Sequence, residues 1–590
     1  MSQVLPGLQL VRSYRRRWLA KDLVAGLVLT TLLVPQGMAY AELAGLPPIT
    51  GLYTSIMCLV AYAIFGPSRI LVLGPDSSLG PMIAATIVPL FAANGDPDRA
   101  IALGAMLAIM VGAIMVLAAA AQLGFIADLL SKPTMIGYMN GLALTILVGQ
   151  LPKLFGFKVS ADRFLGDVTG FVKGLANGEA VGAATAVGVA GIAVILVLQH
   201  WLPQVPALLV MVLLSISAVV LFDLGSHGVS LVGVLPKGFP PLTVPDIHLS
   251  DVAPLVGGAL GIALVSLADT ISTASSFAAR SGQEVRGNQE MIGIGTANLM
   301  AGFFQGFAVS TSASRTAVAE RSGAKSQVTG VVGALLITVM IVFIPGLFRN
   351  LPQPALAAIV ITASLSLADI SGTVRLWRQR RVEFFLCIAA FLGVTLLGVL
   401  PGIGIAVALS ILNVFRRAWW PYDTTLGRVD GLAGYHDTRS YPAASRLPGL
   451  VIYRFDAPLF FANANTFRDE VRRLARGELQ PTWIVIAAEP MTDIDTTAAD
   501  MLEDLDEALN RKGVALVFAE LKDPVRRKIE RYGITRTIDP RHFYPTVGAA
   551  VSAFRAETHA EWVKTDLPDR SAAPSPDSTR ALPPVPRSPA

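Results

Sequence analysis

Before residue 416 the sequence is a succession of apolar runs separated by short charged or Gly/Pro-rich breaks, at about 23–45, 51–66, 77–92, 100–121, 134–150, 180–200, 205–224, 252–279, 289–303, 312–321, 326–346, 354–369, 382–399 and 401–415. A helix of ~20 apolar residues crosses the hydrocarbon of a bilayer. Lipid offers no hydrogen bonds, so a chain built this way must satisfy its backbone internally, as a bundle of helices. Charged residues make up 15% of the chain, against ~25% in a soluble protein. The pattern predicts a polytopic α-helical membrane protein with fourteen transmembrane segments at 23–415.

An even number of crossings puts both ends on one side. Arg12, Arg15, Arg16, Arg17 and Lys21 mark residues 1–22 as a cytoplasmic N-terminus rather than a signal peptide, because the apolar run that follows is too long and has no cleavage site. Arg69, Lys132, Arg280, Arg286, Arg321, Lys325 and the run from Arg375 to Arg381 fall in loops on that same side, whereas Asn94 to Arg99 on the other side shows no such excess. The expectation is a multi-pass protein of the plasma (inner) membrane with both termini cytoplasmic and lipid as its surroundings.

Several function classes are excluded. The net charge of +5 is small for 590 residues and suits cytoplasmic loops rather than a nucleic-acid surface. Cys58 and Cys387 both lie inside apolar runs, and the six histidines are scattered without a metal-binding pair. With no nucleophile–base pair and no metal cluster, the chain reads as neither an enzyme nor a holder of a resident cofactor.

Polar residues inside apolar runs are therefore informative. An Asp on a spanning helix costs about 2.5–3.5 kcal/mol at the bilayer centre, so Asp269 in LVSLADTISTA must face protein, water or an ion. Helical spacing puts Ser266, Asp269, Thr273 and Ser276 on one stripe. Asp269 and Thr273, one turn apart, can share a coupling ion with the carbonyls around Thr311. Further on, GFAVSTSASRTAV changes near Ser312 from a strand-like run at Phe307–Val309 to a helical pattern. A helix that starts in mid-membrane presents the N–H groups of Ser312, Ala313 and Ser314, its dipole and Arg315 at one point, which is a way to hold an anion without a metal.

The first half repeats this arrangement. Gln36 in VPQGMAYAELAG precedes Ser77 and Ser78 of GPDSS by about the same ~40 residues that separate Asp269 from Ser312, and a strand-like run, Ile70–Gly74, again opens a short helix. Asp76 beside those serines is a candidate helix cap. Seven segments per half, an odd number, invert the second half against the first, so the two broken helices point their positive N-termini at each other near the midplane. Gln36, Ser77, Ser78, Ser312, Ala313, Ser314 and Arg315 are the candidate anion-binding residues.

After Arg416 and Arg417 a polar connector runs over 416–448, and from Leu450 strand and helix patterns alternate as in a small cytoplasmic α/β domain, 449–555. Asp495 is a good N-cap, with Thr496 and Thr497 in the first turn of its helix. Residues 556–590, rich in Pro and Ser, read as a disordered tail.

Four stretches resemble one known family. DLVAGLVLTTLLVPQGMAYAELAGLPPITGLYTS, FGPSRILVLGPDSS and VRGNQEMIGIGTANLMAGFFQGFAVSTSASRTAV are similar to the sulfate permease (SulP) group, and the C-terminal domain, with its MTDIDTTAADML loop, looks like a STAS domain. The resemblance covers about residues 10 to 555, and PQGMAYAELAGLPP is its most specific signature. It implies a seven-plus-seven inverted repeat of core and gate domains, a homodimer, and an anion held between the third and tenth segments. It carries the eighth-segment acid onto Asp269, where many relatives have Glu, and the tenth-segment arginine onto Arg315. Phosphorylatable STAS relatives have a Ser after the Asp; here Thr496 and Thr497 stand in that neighbourhood as candidate regulatory positions.

The function expected is secondary transport of an inorganic anion, sulfate first, driven by H⁺ or Na⁺ symport. The rivals are a Na⁺-coupled bicarbonate carrier using Asp269 and Thr273, a nucleobase-type carrier of the same fold, and a sensor or scaffold whose STAS domain binds a cytosolic partner. Arg315 at the tenth-segment position, where nucleobase carriers have an acid, favours an anion.

Overall fold

The computed structural model describes residues 6–7, 14–91, 95–124, 131–159, 164–202, 204–281, 285–477 and 480–564. Arg12 and the expected tail beyond Lys564 lie outside the described residues. The chain separates into two compact units, Met1–Ile411 and Leu412–Ala590.

The first unit is helical. Its first half runs α1 (Leu19–Leu43), α2 (Pro48–Phe65), strand β1 (Leu73–Gly74), α3 (Gly80–Phe91), α4 (Pro97–Ala120), α5 (Lys132–Leu154), α6 (Phe164–Ala176), α7 (Gly182–Trp201) and α8 (Ala207–Phe222). The second half runs α9 (Val252–Ser281), α10 (Gly287–Phe303), strand β2 (Ser310–Thr311), α11 (Ala313–Arg321), α12 (Val328–Phe343), α13 (Gln353–Leu367), α14 (Ile370–Gln379), α15 (Arg381–Leu397) and α16 (Val399–Trp419). Leaving aside the amphipathic α6 and α14, each half has seven segments among the described residues, and a two-residue strand opening a short helix is third in both. This is the fourteen-segment inverted repeat.

Extended backbone at membrane depth is tolerated only where protein satisfies it. β1 and β2 do so by pairing antiparallel, Leu73 with Thr311 and Gly74 with Ser310. The paired strand lies just after the Phe307–Val309 run expected from the sequence. Those residues are extended but held by side chains: Phe307 N donates to Thr54 Oγ1 at 3.0 Å, and Val309 N to Asn298 Oδ1 at 2.9 Å.

The helices pack in two groups. α1–α4 pack with α9–α12, while α5, α7 and α8 pack with α13 and α15; the groups meet where α1 touches α13 and α8. Small residues set the closest approaches. A Cβ on Gly51 of α2 would lie 1.9 Å from the Gly37 carbonyl of α1, and one on Gly137 of α5 would lie 1.9 Å from that of Cys387 on α15. Glycine there lets backbones touch, which is how helices associate without a hydrophobic driving force.

The run from Arg375 to Arg381 is not a loop. It ends α14 and begins α15, with Arg380 alone extended between them. Leu376 faces inward while Ile370, Val374 and Trp377 are exposed, an amphipathic pattern too short to register as a span.

The second unit is a six-stranded sheet whose strands lie in the order His436–Asp437, Asp423–Gly427, Leu450–Phe455, Trp483–Ala487, Ala515–Ala519 and Phe543–Tyr544. Its elements are β3 (Asp423–Gly427), β4 (His436–Asp437), β5 (Leu450–Phe455), α17 (Ala464–Ala475), β6 (Trp483–Ala487), α18 (Thr496–Asn510), β7 (Ala515–Ala519), α19 (Asp523–Tyr532), β8 (Phe543–Tyr544) and α20 (Val547–Thr558). β5 through β8 are parallel and β3 joins β5 antiparallel. Apolar clusters cover both faces, as a parallel sheet requires. Two stretches differ from the sequence reading. The expected connector supplies β3 and β4, and the first residues of the expected tail are folded: α20 continues to Thr558, Trp562 lies against Tyr435, and Arg446 pairs with Val563.

Candidate functional site

The β1–β2 pair brings two helix starts together. After β1, Asp76 caps α3: its Oδ2 accepts from Ser78 N at 3.0 Å, and its carbonyl accepts from Leu79 N and Gly80 N. After β2, Ser312 caps α11, its Oγ accepting from Arg315 N at 3.4 Å and lying 3.0 Å from Ser314 Oγ. Two amides expected to be free are occupied. Ser312 N donates to the Val72 carbonyl at 3.2 Å because the strand pairing runs one residue further, and Ser78 N is taken by the Asp76 side chain. Among the described residues the N–H groups of Ala313 and Ser314 carry no hydrogen bond.

Arg315 is 1% exposed, the largest fully buried side chain described. Its Nη1 donates to the Pro75 carbonyl at 2.5 Å, across the repeat. Nη2 lies 3.8 Å from Asp76 Oδ1, and both Nη2 and Nε lack a hydrogen-bond partner among the described residues. Native structures leave few buried donors unsatisfied, and a buried charge is held by a partner. This guanidinium is half-satisfied: Nη2 and Cζ lie against Gly74 of β1, and Arg315 is one of the residues that line the adjoining cavity.

α9 completes the group. Ser266 Oγ donates to the Val309 carbonyl at 2.9 Å, and Thr311 Oγ1 to Thr270 Oγ1 at 3.2 Å, fastening α9 to the strand before α11. Asp269 Oδ2 lies 3.2 Å from Ser78 Oγ, which is also 2.6 Å from Asp76 Oδ2. Of the expected stripe, Asp269 and Thr273 line the cavity; Ser266 is buried behind it, and exposed Ser276 bonds to the Ser272 carbonyl.

The cavity has a volume of about 1040 Å³ and lies between the two helix groups. Gln36, Ser77, Asp269, Thr273, Thr311, Ser312, Ala313, Ser314 and Arg315 are all on its wall. Ser78, also an expected contact, is turned away toward the two carboxylates. Gln36 Oε1 is buried without a partner among the described residues, on the helical turn that Pro35 deprives of a backbone N–H. The sequence reading left out Tyr40, Thr362, Ser366 and Arg321, which also line the cavity. Spacing held the signal for three of them: Val28, Leu32, Gln36 and Tyr40 form one i, i+4 stripe of α1, and Thr362 and Ser366 another on α13. Asp76 was read only as a cap. Tyr138 of α5, 3% exposed and with no hydroxyl partner among the described residues, carries no sequence signal.

In the second unit Asp495 caps α18, accepting from Ala498 N at 2.8 Å, while its other oxygen accepts from Phe461 N. Thr496 and Thr497 are exposed in the first turn.

The chain is similar to known proteins over nearly its whole length. A probable sulfate transporter of Mycobacterium tuberculosis is 40% identical, over 93% of this chain and 98% of that protein. Sulfate transporter 1.1 of Arabidopsis thaliana is 29% identical, over 94% of this chain and 88% of that one. Among solved structures, the murine Solute Carrier 26 family member A9 anion transporter in the inward-facing state matches with a TM-score of 0.86 at 23% identity, over 94% of each chain. The transmembrane domain of the cyanobacterial bicarbonate transporter BicA matches at 0.58 and 20%, over 67% of this chain and 98% of that one. The STAS domain model matches residues 441–550. The Sulfate permease family model matches residues 19–390, and with a 40% identical relative over almost all of its length this chain belongs to that family of membrane anion transporters.

Proposed function

We infer that the protein is a proton-coupled carrier of a divalent inorganic anion, sulfate, across the plasma membrane. The observation that carries this reading is Arg315, a buried cation at the cavity whose Nε and Nη2 have no hydrogen-bond partner among the described residues, beside the similarly unpaired amides of Ala313 and Ser314. A tetrahedral dianion matches a guanidinium edge and a helix N-terminus together. Gln36, Ser77, Ser312 and Ser314 would supply further contacts from the same wall. Relatives named as sulfate transporters, one of them 40% identical, support sulfate over bicarbonate.

Asp269 would be the coupling residue. A dianion entering a cell that is negative inside is opposed by ~2.3 kcal/mol per charge per 100 mV, so accumulation needs a co-moving cation. The Ser78 hydroxyl, shared between two carboxylates, favours a proton over Na⁺ because it gives the proton a hydrogen-bonded path. The cavity lies between the two helix groups, so sliding of one group past the other would expose it to each side in turn. The cytoplasmic placement of both termini, a homodimer, a cytosolic partner of the STAS domain and regulation at Thr496 or Thr497 belong to the same reading. The test is radiotracer uptake by proteoliposomes, with sulfate and bicarbonate offered under a pH gradient or a Na⁺ gradient. Sulfate accumulation driven by the pH gradient is expected; bicarbonate accumulation driven only by Na⁺ would replace this reading with the rival one.

A further inference from the structure

Ser78 Oγ lies 2.6 Å from Asp76 Oδ2 and 3.2 Å from Asp269 Oδ2, joining an acid of the first repeat to one of the second. A serine hydroxyl has one proton to give. If it donates to Asp76, the nearer acid, the contact with Asp269 is a hydrogen bond only when Asp269 carries a proton and donates it to Ser78 Oγ. With both acids ionised, two oxygens face each other without a proton between them. The geometry therefore fits one proton held by the pair.

The other oxygen of Asp76 faces Arg315. Asp76 Oδ1 is 3.8 Å from Arg315 Nη2, within ion-pair range but too long for a hydrogen bond, and it is the only acid paired with Arg315 among the described residues. Asp76 thus occupies the charge of Arg315 without satisfying its N–H groups, which an anion in the cavity would do better. The other titratable groups facing these acids are Tyr40 from α1, near Asp76 and Arg315, and Tyr138 from α5, near Asp269. Arg321 lies further along the cavity wall.

We propose that Asp76 is a built-in competitor for Arg315, that the transported anion displaces it, and that the displaced carboxylate holds the proton that travels with the anion. The proposal rests on the proton-coupled reading above and adds where the proton sits. As the anion takes Arg315, Asp76 loses its counter-charge. The O–H bond of Asp269 breaks, its proton passes to Ser78 Oγ, and the proton of Ser78 passes to Asp76 Oδ2. Asp269, left ionised, is reprotonated from cavity water, so the site gains one proton for each anion bound. When the anion leaves, Asp76 returns to Arg315 and releases the proton, which ties the two fluxes together.

The test is sulfate binding to the purified full-length protein by titration calorimetry at several pH values, with proton uptake counted from the dependence of the heat on buffer ionisation. Wild type is expected to take up about one proton per sulfate, with affinity falling about tenfold per pH unit at the alkaline end. In Asp76→Asn the side-chain oxygen still accepts the Ser78 N–H, so the cap survives. This variant should bind sulfate without proton uptake and without pH dependence, at least as tightly as wild type at alkaline pH. Asp76→Glu should keep the pH dependence with a displaced midpoint, and it carries the test if the Asn variant does not fold. A wild type without proton uptake would overturn the proton-coupled reading itself. If wild type takes up the proton, three results would overturn the role of Asp76 alone: an Asn variant with the wild-type pH dependence, a monodisperse Asn variant that no longer binds, or a Glu variant with an unmoved midpoint.

Discussion

Arg315 Nη1 donates to the Pro75 carbonyl at 2.5 Å, tying the start of the tenth segment to the turn after the third segment's strand. One face of the guanidinium therefore holds the two repeats together while its other N–H groups stay free. A lysine ammonium has its three donors on one atom and lacks the rigid planar fork that directs separate N–H groups to the carbonyl and to the anion.

Arg315→Ala should weaken sulfate binding about 10- to 100-fold, the value of a lost charge-assisted hydrogen bond or two. Arg315→Lys should recover only part of this. Calorimetric titration of monodisperse protein checks both, and unchanged affinity in either variant removes Arg315 from the anion site.

The amides can be tested apart from the hydroxyls. Ala313 is the first residue of α11, where proline fits a helix without breaking an intrahelical bond. Ala313→Pro should therefore leave thermal stability near wild type while removing one anion-facing N–H, and sulfate affinity should drop about tenfold. Ser314→Ala removes a hydroxyl but no amide and should be milder. Equal losses would show that the helix N-terminus is not the binding element.

Much of this was legible in the sequence, because the bilayer leaves few options. All fourteen segments emerge from hydropathy, and the facing broken helices emerge from Gly/Ser-rich breaks at matching places. What sequence could not give is tertiary. Nothing local says that Ser312 N is spent on the Val72 carbonyl, that Asp76 folds back onto Ser78 N, or that Asp76 reaches Arg315 across 239 positions in the chain. The helices α6 and α14 stay hidden for different reasons: α6, at 13 residues, is too short to read as a span although it is apolar, whereas α14 has the mean polarity of a loop and only its spacing marks it as a helix. Trp562 at the edge of the second unit was read as tail because its neighbours are polar, although Tyr435 gives it a surface to pack on.

Close backbone contact makes a stability prediction. Gly51→Ala would put a methyl carbon 1.9 Å from the Gly37 carbonyl, with backbone on both sides and nothing flexible to give way. Gly149→Ala, where nothing lies within 4 Å, is the control. The yield of monodisperse protein after detergent extraction should collapse for Gly51→Ala and hold for Gly149→Ala. Comparable yields would mean that α1 and α2 do not approach this closely.

Asp506 gives the STAS domain a pH dependence. It is 2% exposed on the inner face of α18, and burial raises its carboxyl to about 6 despite a hydrogen bond from Asn510. An unfolded Asp titrates near ~3.9, so between roughly pH 4 and pH 6 the folded state binds more protons and stability falls as pH rises. Asp506→Asn should raise the melting temperature of the isolated domain by about 2–4 °C at neutral pH and change little near pH 4. A melting curve with the same pH dependence in both proteins would rule this out.

The last prediction concerns Asp269, the acid that the coupling mechanism needs. It lines the cavity on α9, touches Ser78, and stands one turn from Thr273. Asp269→Asn keeps the shape and a hydrogen-bonding oxygen but cannot cycle a proton. The anion contacts at Arg315, Ala313 and Ser314 belong to α11 and are untouched, so sulfate should still bind and exchange across the membrane. What should vanish is accumulation above equilibrium in proteoliposomes given an inward proton gradient, because the anion flux would no longer be tied to the proton flux. Sulfate/sulfate exchange in the same vesicles serves as the internal control for folding. A variant that still concentrates sulfate under the pH gradient would move the coupling elsewhere, and one that loses exchange as well would make Asp269 part of the anion site rather than its proton partner.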